Sequence, residues 1–291
     1  MPKINNTVLM SGADYFANDA PINPYYADES IDVSTAIQEH AEIEAAMREA
    51  GIKVVKVAPP PTSQDGVYTA NWALVRHNKA ILARLPNARK SEEAWAEREL
   101  EALGFEVIQV PEDWHFSGQG DALACGDLLF CGSNYRSDVR AQEFAVETLG
   151  YRRIQLQAKP LLDENGQAVV NASSGWPDSF YYDIDLALSI LKGPTETEKG
   201  LIAYCPEAFT SESRVLLEQF DEVDKIIVSE KDAKQAFACN LVSTGETVIM
   251  SAHAPDFTEA IQAHGLRVIT PSIKELAKGG GYIRCTTLSL G

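Results

Sequence analysis

The hydrophobic positions of the chain recur in a fixed order: an amphipathic helical run, a stop, and then a short apolar strand. This order occurs five times, in HAEIEAAMREAGIKVVKV, SEEAWAERELEALGFEVIQV, DVRAQEFAVETLGYRRIQL, SESRVLLEQFDEVDKIIVS and FTEAIQAHGLRVITP. Four of the helical runs stop at a glycine, the residue that most easily adopts the left-handed conformation at a helix end; these are Gly51, Gly104, Gly150 and Gly265. Asp221 ends the remaining run less cleanly. The pattern predicts an α/β protein built from a repeated unit.

Between these runs lie pairs of short apolar segments joined by turn residues, as expected for antiparallel strand pairs. YDIDLALSIL and GLIAYCP form a looser pair, and the clearer pairs are NWALVRHNKAILARL, DALACGDLLFCGS and ACNLVSTGETVIMSA. Single strands remain near the two ends, TVLMSG and CTTLSL, and pairing between them would close the molecule. A strand-strand-helix-strand unit cannot bury both of its faces alone, so five units are predicted to pack as a ring.

An open doubly wound sheet is the competing architecture, because helices and strands alternate there as well. No GxGxxG or GxxxxGK[ST] segment follows a strand, which disfavours the nucleotide-binding version of that fold. We therefore favour the ring, formed by residues 1–291 as a single domain. The polar segment 160–180 interrupts the pattern and is predicted to be a lid or rim loop.

The amino-acid composition indicates a globular protein and argues against several classes of binding partner. The 291 residues are 45% hydrophobic and 23% charged, which suits a large globular core. A formal net charge of -17 opposes binding to nucleic acid. The first residues do not resemble a signal peptide and no apolar run reaches the ~18 residues of a membrane span, so the cytoplasm is the expected compartment. The five cysteines lack CxxC spacing, which predicts free thiols rather than a disulfide framework or a zinc site.

Several polar residues stand near the ends of predicted strands. Asp65 lies in a turn and Asn71 begins a strand, although both residue types also favour such places for structural reasons. His115 and Asp121 flank glycines that would let the backbone approach a ligand, and a glycine-aspartate turn is the alternative explanation. Arg136 precedes a predicted helix, where an ordinary surface arginine is the alternative. Each residue is ambiguous by itself.

Two further segments carry candidate chemistry. In FYYDIDLAL the alternation predicts a strand with Asp183 and Asp185 on one face, where two carboxylates are costly unless they meet water or a cation. The segment GGGYIRCTTLSLG carries Cys285, and buried cysteines are more often inert than reactive. Ser137 or Asp138 is expected to cap the helix that follows Arg136.

These segments together resemble the guanidino-group-modifying superfamily, through DGVYTANWALV, FSGQGDAL, YRSD, YYDIDLALS, FACNLV and GGGYIRCTTLSL in family order. The superfamily includes arginine deiminases, amidinotransferases and dimethylarginine dimethylaminohydrolases, all of them five-bladed α/β propellers called penteins. The resemblance implies that Cys285 is the nucleophile, that Asp65 and Asp121 lie near the guanidinium, and that Arg136 receives a substrate carboxylate. It implies no metal and no organic cofactor.

The chain also departs from the family pattern. Asp183 stands at the position of the family histidine that moves protons, while Asp185 is retained. Asn71 occupies a position that is often acidic, and Ser117 and Gly118 stand where an acidic residue commonly precedes the GD motif. Asn71 and Asp185 are assigned to substrate binding.

Two residues compete for the missing proton-transfer role. Asp183 would serve if burial raises its pKa, and His115, close in sequence to Asp121, is the other candidate.

The predicted protein is a cysteine-dependent hydrolase of the guanidino or amidino C–N bond of a small arginine-like cation that bears a carboxylate. The electron-poor thiouronium intermediate of this chemistry would equally serve amidino transfer, if an amine replaced water. A catalytically silent pentein that binds a small ligand or a protein partner is the remaining alternative. A homodimer is one candidate assembly.

Overall fold

The computed structural model describes residues 3–26 and 29–291. Its fifteen strands form five small sheets of three strands each. Every sheet contains one antiparallel pair and one parallel pair, and a helix connects the two parallel strands. This is the predicted unit of two strands, a helix and a strand, repeated five times.

The strands are β1 Thr7–Met10, β2 Lys53–Lys56, β3 Ala73–Arg76, β4 Lys79–Leu82, β5 Glu106–Ile108, β6 Ala122–Cys125, β7 Leu128–Cys131, β8 Arg152–Gln155, β9 Leu188–Lys192, β10 Gly200–Tyr204, β11 Val223–Ile227, β12 Val242–Ser243, β13 Thr247–Ile249, β14 Arg267–Ile269 and β15 Leu288–Ser289. The α-helices are α1 Val33–Glu49, α2 Ser91–Ala102, α3 Val139–Leu149, α4 Ser211–Gln219, α5 Glu230–Gln235 and α6 Pro255–Ala263. The short helix α5 was not predicted from the pattern.

One sheet closes the molecule by joining its two ends. Strand β1 pairs in parallel with β2 and antiparallel with β15, so that Val8 lies opposite both Val54 and Ser289. The other four sheets are formed from consecutive strands along the chain, β3 to β5, β6 to β8, β9 to β11 and β12 to β14. Pairing between the terminal strands confirms the predicted closure.

Helix ends follow the sequence signals closely. Asp32 caps α1 by accepting a hydrogen bond from the Thr35 amide, and the chain leaves α1 through Gly51 with a φ of +83°. The other three predicted glycine stops also have positive φ. At α3, Asp138 occupies the N-cap position but makes no side-chain capping bond. The predicted cap is therefore wrong, because the Asp138 carboxylate accepts a hydrogen bond from the amide of His115 instead.

Segment 160–180 has no named helix or strand and folds back on itself through isolated bridges, one of them between Leu162 and Ala168. Its Trp176 ring stacks on His115 with 3.8 Å between ring centroids, which fixes the loop against the segment between β5 and β6. In the described part of the chain, no helix is long and apolar enough to cross a membrane.

Candidate active site

A narrow cleft with a free volume of about 10 Å³ contains the Cys285 side chain. It brings together residues from distant parts of the sequence. Of the eight predicted site residues, the five that line this cleft are Asp65, Asn71, Arg136, Asp183 and Cys285.

The glycine-rich segment before Cys285 packs closely against its neighbours and so positions Cys285 in the cleft. Gly280 has a φ of +84°, and a Cβ there would lie 2.3 Å from Oδ1 of Asn23. A Cβ on Gly281 would lie 2.4 Å from the ring of Tyr68. No larger residue fits at either position without displacing its neighbour. The glycine triplet thus allows the chain to pass between Asn23 and Tyr68 immediately before Cys285.

Asn240 and Asp185 contact the cysteine directly. Nδ2 of Asn240 donates a hydrogen bond to Sγ of Cys285 at 3.1 Å, and Oδ1 of Asn240 accepts one from the Cys285 amide at 3.1 Å. The thiol donates to Oδ2 of Asp185 over 3.5 Å. Burial, followed by the charge of Asp185, raises the pKa of Cys285 well above its usual value. The free protein therefore holds a neutral thiol, and a cation beside it would favour the thiolate.

Asp183 lies in the same cleft, and only one of its two carboxyl oxygens has a hydrogen-bond partner among the described residues. Its Oδ2 accepts a hydrogen bond from Nδ2 of Asn71 at 2.7 Å, while Oδ1 has no partner in the described structure. Burial raises the pKa of Asp183, and the positive charge of Arg136 and the hydrogen bond with Ser117 oppose that rise. A buried carboxyl with a raised pKa and a free oxygen is suited to donate and accept protons.

The orientation of Asn71 is fixed by a buried arginine. Nη1 of Arg89 donates to Oδ1 of Asn71 at 2.7 Å, and arginine has no acceptor with which to tolerate a flipped amide. Nδ2 of Asn71 must then face Asp183 and the Ser117 hydroxyl, which it contacts at 2.9 Å. All three departures from the family pattern, at positions 71, 117 and 183, therefore belong to one hydrogen-bonded cluster.

Asp65 is held by neutral donors. Its Oδ1 accepts a hydrogen bond from the Tyr26 hydroxyl at 2.6 Å, and its Oδ2 accepts one from Gln64 at 3.2 Å. Burial raises the pKa of Asp65 to about 6, with Arg89 opposing the rise. Asp65 is therefore mainly ionised at neutral pH and provides negative charge for a cationic ligand.

Arg136 is a buried cation without a carboxylate partner. Its guanidinium carbon lies 4.9 Å from the centroid of the Tyr182 ring, and Nη2 donates to the carbonyl of Ile22. Among the described residues, no carboxylate oxygen lies within 4.0 Å of its nitrogen atoms. This leaves guanidinium N–H groups for a ligand carboxylate.

The remaining three predicted residues do not line the cleft. Asp121 is buried outside the cleft lining, and its Oδ1 accepts a hydrogen bond from the amide of Ile184 at 3.1 Å. Burial, followed by the charge of Asp183, raises the pKa of Asp121 well above its usual value. Asp185 contacts Cys285 from a separate cavity. His115 lies against Trp176, and burial lowers its pKa.

The strand predicted across Asp183 and Asp185 is wrong. Residues Ile184–Leu186 form a turn of 3₁₀-helix, and β9 begins only at Leu188. The turn sends Asp183 to the cleft and Asp185 to the other side of Cys285, instead of placing both on one strand face.

Sequence reasoning missed the Arg89–Glu92 pair that supports Asn71. Nη2 of Arg89 donates to Oε2 of Glu92 at 2.7 Å, and Glu92 is fully buried. Charged residues at the start of a helix normally suggest a solvated face. A signal was nevertheless present, because Glu92 precedes Ala96 and Leu100 by four and eight residues and so lies on the apolar face of α2.

A five-unit ring with a cysteine, carboxylates and an arginine in one narrow cleft defines a guanidino-group-modifying enzyme of the pentein class. The family model described as N,N dimethylarginine dimethylhydrolase, eukaryotic, matches residues 13–169. The chain belongs to this family. The predicted superfamily is thereby confirmed, and hydrolysis of guanidino C–N bonds, the predicted reaction class, is the class to which the family belongs.

Relatives from bacteria extend the similarity over almost the whole chain. The N(G),N(G)-dimethylarginine dimethylaminohydrolase of Mycobacterium tuberculosis is 28% identical over 284 residues, covering 97% of this chain and 84% of the relative. The bifunctional arginine dihydrolase/ornithine cyclodeaminase ArgZ of Synechocystis sp. is 29% identical over 288 residues. This match covers 97% of the chain and only 37% of the relative's length.

Solved structures confirm the predicted pentein fold. The substrate-bound N-terminal domain of ArgZ, an arginine dihydrolase from cyanobacteria, superposes with a TM-score of 0.83 at 26% identity, covering 98% of this chain and 97% of that domain. A dimethylarginine dimethylaminohydrolase in an adduct with S-methyl-L-thiocitrulline gives a TM-score of 0.72 at 19% identity, which supports the fold alone.

Proposed function

We propose that this protein is a cysteine-dependent hydrolase of the guanidino C–N bond of a small arginine-like substrate, with Cys285 as the nucleophile. The observation that carries the proposal is the shared cleft of Cys285, Asp183, Asp65 and Arg136. This set combines a nucleophile, a proton-transfer group, negative charge for a guanidinium and a cation for a carboxylate.

Charge complementarity explains how the substrate activates the enzyme. A guanidinium beside Cys285 offsets the negative charge that disfavours the thiolate, so the nucleophile forms when the substrate is bound. The Cys285 proton passes to Oδ2 of Asp185, the carboxylate oxygen that the thiol contacts. Asn240 then stabilises the thiolate through its hydrogen bond to Sγ.

Asp183 serves both chemical steps in the proposed reaction. Sγ attacks the guanidinium carbon, and protonated Asp183 gives its proton to the nitrogen that leaves as an amine or ammonia. The resulting Asp183 carboxylate accepts a proton from the water that attacks the thiouronium carbon, and the C–S bond breaks. Burial raises the pKa of Asp183, and this favours the protonated form that the first step requires.

Arginine and N-methylated arginines are the proposed substrates. The family and the relative from Mycobacterium tuberculosis point to dimethylarginine, whereas the Synechocystis relative is an arginine dihydrolase. Amidino transfer uses the same thiouronium, with an amine in place of water. The cytoplasm, a homodimer and one domain over residues 1–291 also stay predictions.

Ligand binding without turnover is the second candidate function. It is favoured by one observation: a carboxyl group replaces the family histidine in a site where two buried carboxyl groups, those of Asp183 and Asp185, act on Cys285. In that case the cleft would retain a cationic amino acid but would not cleave it.

Single-turnover experiments separate these functions. The wild type is mixed with arginine or dimethylarginine, quenched over time, and analysed by mass spectrometry for a Cys285 adduct and by NMR for released ammonia, amine, citrulline and ornithine. We expect an adduct that forms and decays, and none in Cys285→Ser. An adduct that decays only with an added amine would instead identify a transferase.

A reactivity test addresses the nucleophile separately. Chloroacetamidine, which resembles the amidinium substrate, should alkylate Cys285 faster than neutral chloroacetamide does, and faster than it alkylates the other four cysteines, all of which are buried free thiols. Uniform labelling of the five cysteines, or full turnover by Cys285→Ser, would exclude Cys285 as the nucleophile. Bound arginine without adduct or product would establish the binding function.

A further inference from the structure

A second cavity of about 460 Å³ lies on the other side of Cys285 from the cleft. The cavity and the cleft share no lining residue. Asp185 lines the second cavity and contacts Sγ of Cys285, which lines the cleft. The volume of the second cavity falls within the range of small-molecule sites in proteins, about 300–1,000 Å³. The second cavity is therefore large enough for a metabolite, and it reaches Asp185, which contacts the reactive cysteine.

Arg284 places a buried positive charge in the wall of the second cavity. Only 8% of Arg284 is exposed, and its hydrogen bonds go to neutral acceptors, the carbonyl of Thr287 at 2.9 Å and Oε1 of Gln119 at 2.8 Å. In the described part of the chain, no carboxylate oxygen lies within 4.0 Å of its nitrogen atoms. Burial lowers the pKa of Arg284, and the charge of Asp185, which also lines the cavity, opposes this change from beyond salt-bridge distance. Buried charges in proteins are normally paired, so a buried cation without an ion-pair partner in contact is costly.

The other buried arginines provide an internal comparison. Arg84 is paired with Glu93 at 3.0 Å, and Arg89 with Glu92 at 2.7 Å. Arg136 and Arg284 lack such partners, and each lines a cavity: Arg136 the cleft, and Arg284 the second cavity. The same reasoning that assigns a ligand carboxylate to Arg136 therefore applies to Arg284.

The rest of the lining defines the body of the ligand. Leucine side chains from three different sheets and from the segment before β12 form much of the wall, namely Leu74, Leu123, Leu188 and Leu241. The Oγ of Ser189, also in the lining, is buried and has no hydrogen-bond partner among the described residues.

Lys3 and Arg76 also line the cavity, but Lys3 is paired with Glu246 at 4.0 Å and Arg76 with Asp127. Asp185, the carboxyl group of the lining, contacts Cys285. An apolar wall with one unpaired cation and a free hydroxyl fits a small molecule that has a hydrocarbon body and a single carboxylate.

We infer that the second cavity binds a small monocarboxylate through Arg284 and that its occupation slows the reactions of Cys285. Arg284 directly precedes Cys285 and its positive charge interacts favourably with the thiolate. A carboxylate bound to Arg284 offsets that charge and thereby disfavours thiolate formation. The cavity would thus act as an inhibitory site for an organic acid, separate from the cleft where the substrate is proposed to bind.

Calorimetric titration with 4-methylpentanoate tests the binding site. We expect saturable one-to-one binding to the wild type, and an affinity lower by about ten- to a hundredfold in Arg284→Gln. The neutral amide, 4-methylpentanamide, should bind to the wild type about as weakly as 4-methylpentanoate binds to Arg284→Gln. Leucine, which adds an ammonium group to the same carboxylate and hydrocarbon body, should bind more weakly than 4-methylpentanoate. Stronger binding of leucine would overturn the assignment to a monocarboxylate.

A second variant, which obstructs the second cavity with a large side chain, tests the binding site even if Arg284→Gln fails to fold. Ala124 is exposed and lines the second cavity, so Ala124→Trp should obstruct entry without altering the buried core. Arg214→Gln is the matched control, because it removes one arginine charge from the exposed surface of α4. We expect weakened binding in Ala124→Trp and unchanged binding in Arg214→Gln. Unchanged binding in Ala124→Trp would overturn the proposed location.

Blocking the cleft distinguishes the two cavities. Protein alkylated at Cys285 by chloroacetamidine should still bind 4-methylpentanoate, because the cleft and the second cavity have separate linings. Loss of binding would place the acid in the cleft on Arg136 and overturn the inference. In unmodified protein, saturating acid should slow alkylation of Cys285 several-fold, and an unchanged rate would overturn the inhibitory role. These readouts do not require turnover, so they remain decisive even if the proposed hydrolase activity fails.

Discussion

Nδ2 of Asn71 donates a hydrogen bond to Oδ2 of Asp183 over 2.7 Å. Two of the three residues that depart from the family pattern are thus direct hydrogen-bond partners. A carboxylate at position 71 would face the carboxyl group of Asp183 within a buried site, where like charges repel strongly. The replacement of the family histidine and the presence of an amide at position 71 are therefore physically coupled.

Asn71→Asp should raise the pKa of Asp183 further and destabilise the protein by about 1–3 kcal/mol, through loss of a buried hydrogen bond. The double variant Asn71→Asp/Asp183→His should recover part of this loss, because imidazole can donate to the new carboxylate. Urea denaturation of the single and double variants gives the coupling energy. Strictly additive losses would show that the two positions act independently.

Asp183→Asn should prevent turnover while leaving the cleft's hydrogen bonds largely intact, because the amide cannot exchange a proton as acid and base. His115→Ala is the matched test of the other candidate, and its rates should remain close to those of the wild type because His115 lies against Trp176 outside the cleft lining. Single-turnover formation and decay of the Cys285 adduct provides the measurement. Inactivation by His115→Ala, with a rate that depends on a group titrating at about pH 6–7, would reverse the assignment.

Asp183→His restores the family residue and offers a complementary result. If the wild type is inert because Asp183 cannot move protons, this variant should gain hydrolysis of arginine-type substrates. If Asp183 is already an effective acid and base, the variant should bring no gain.

Arg136→Lys should weaken binding of a carboxylate-bearing ligand by about 1.5–3 kcal/mol, because an ammonium cannot reproduce the planar guanidinium fork. Arg140→Lys is the matched control, since Arg140 is half exposed at the start of α3 and pairs with Asp138. Calorimetry with arginine and with agmatine, which lacks the carboxylate, measures the effect. An equal loss for both ligands would indicate that Arg136 does not bind the carboxylate.

Binding of a cationic ligand should strengthen as the pH rises through about 6, the pKa to which burial raises Asp65. The sign follows from the charge: below that pH Asp65 is protonated and neutral, and above it the carboxylate attracts the guanidinium. Asp65→Asn should remove this dependence and weaken binding at neutral pH. The test is the affinity for arginine between about pH 5 and pH 8, and an unchanged profile in Asp65→Asn would assign the titration to another group.

Glu92→Gln should destabilise the protein by about 3–5 kcal/mol, because it leaves Arg89 as a buried cation without its carboxylate. Glu101→Gln makes the same substitution at an exposed position of the segment that forms α2 and should have little effect. Urea denaturation compares the two variants. A loss below about 1 kcal/mol in Glu92→Gln would mean that the pair contributes no more than a surface ion pair.

The sequence determined the repeated unit and its closure because both depend on local regularities. Helix periodicity, glycine stops and paired apolar segments are properties of neighbouring residues, and they predicted the five sheets and the pairing of β1 with β15. Resemblance at separate motifs also identified Cys285, Asp65, Arg136 and Asp183 as site candidates, and these now line one cleft.

Only the tertiary structure decided which polar residues face which cavity. A short 3₁₀ turn separates Asp183 from Asp185, and local alternation had predicted one shared strand face. The sequence analysis did not identify Arg89, and only packing places it beside Asn71. Such contacts join positions far apart along the chain, and burial changes the cost of a charge in ways that residue type and spacing do not express.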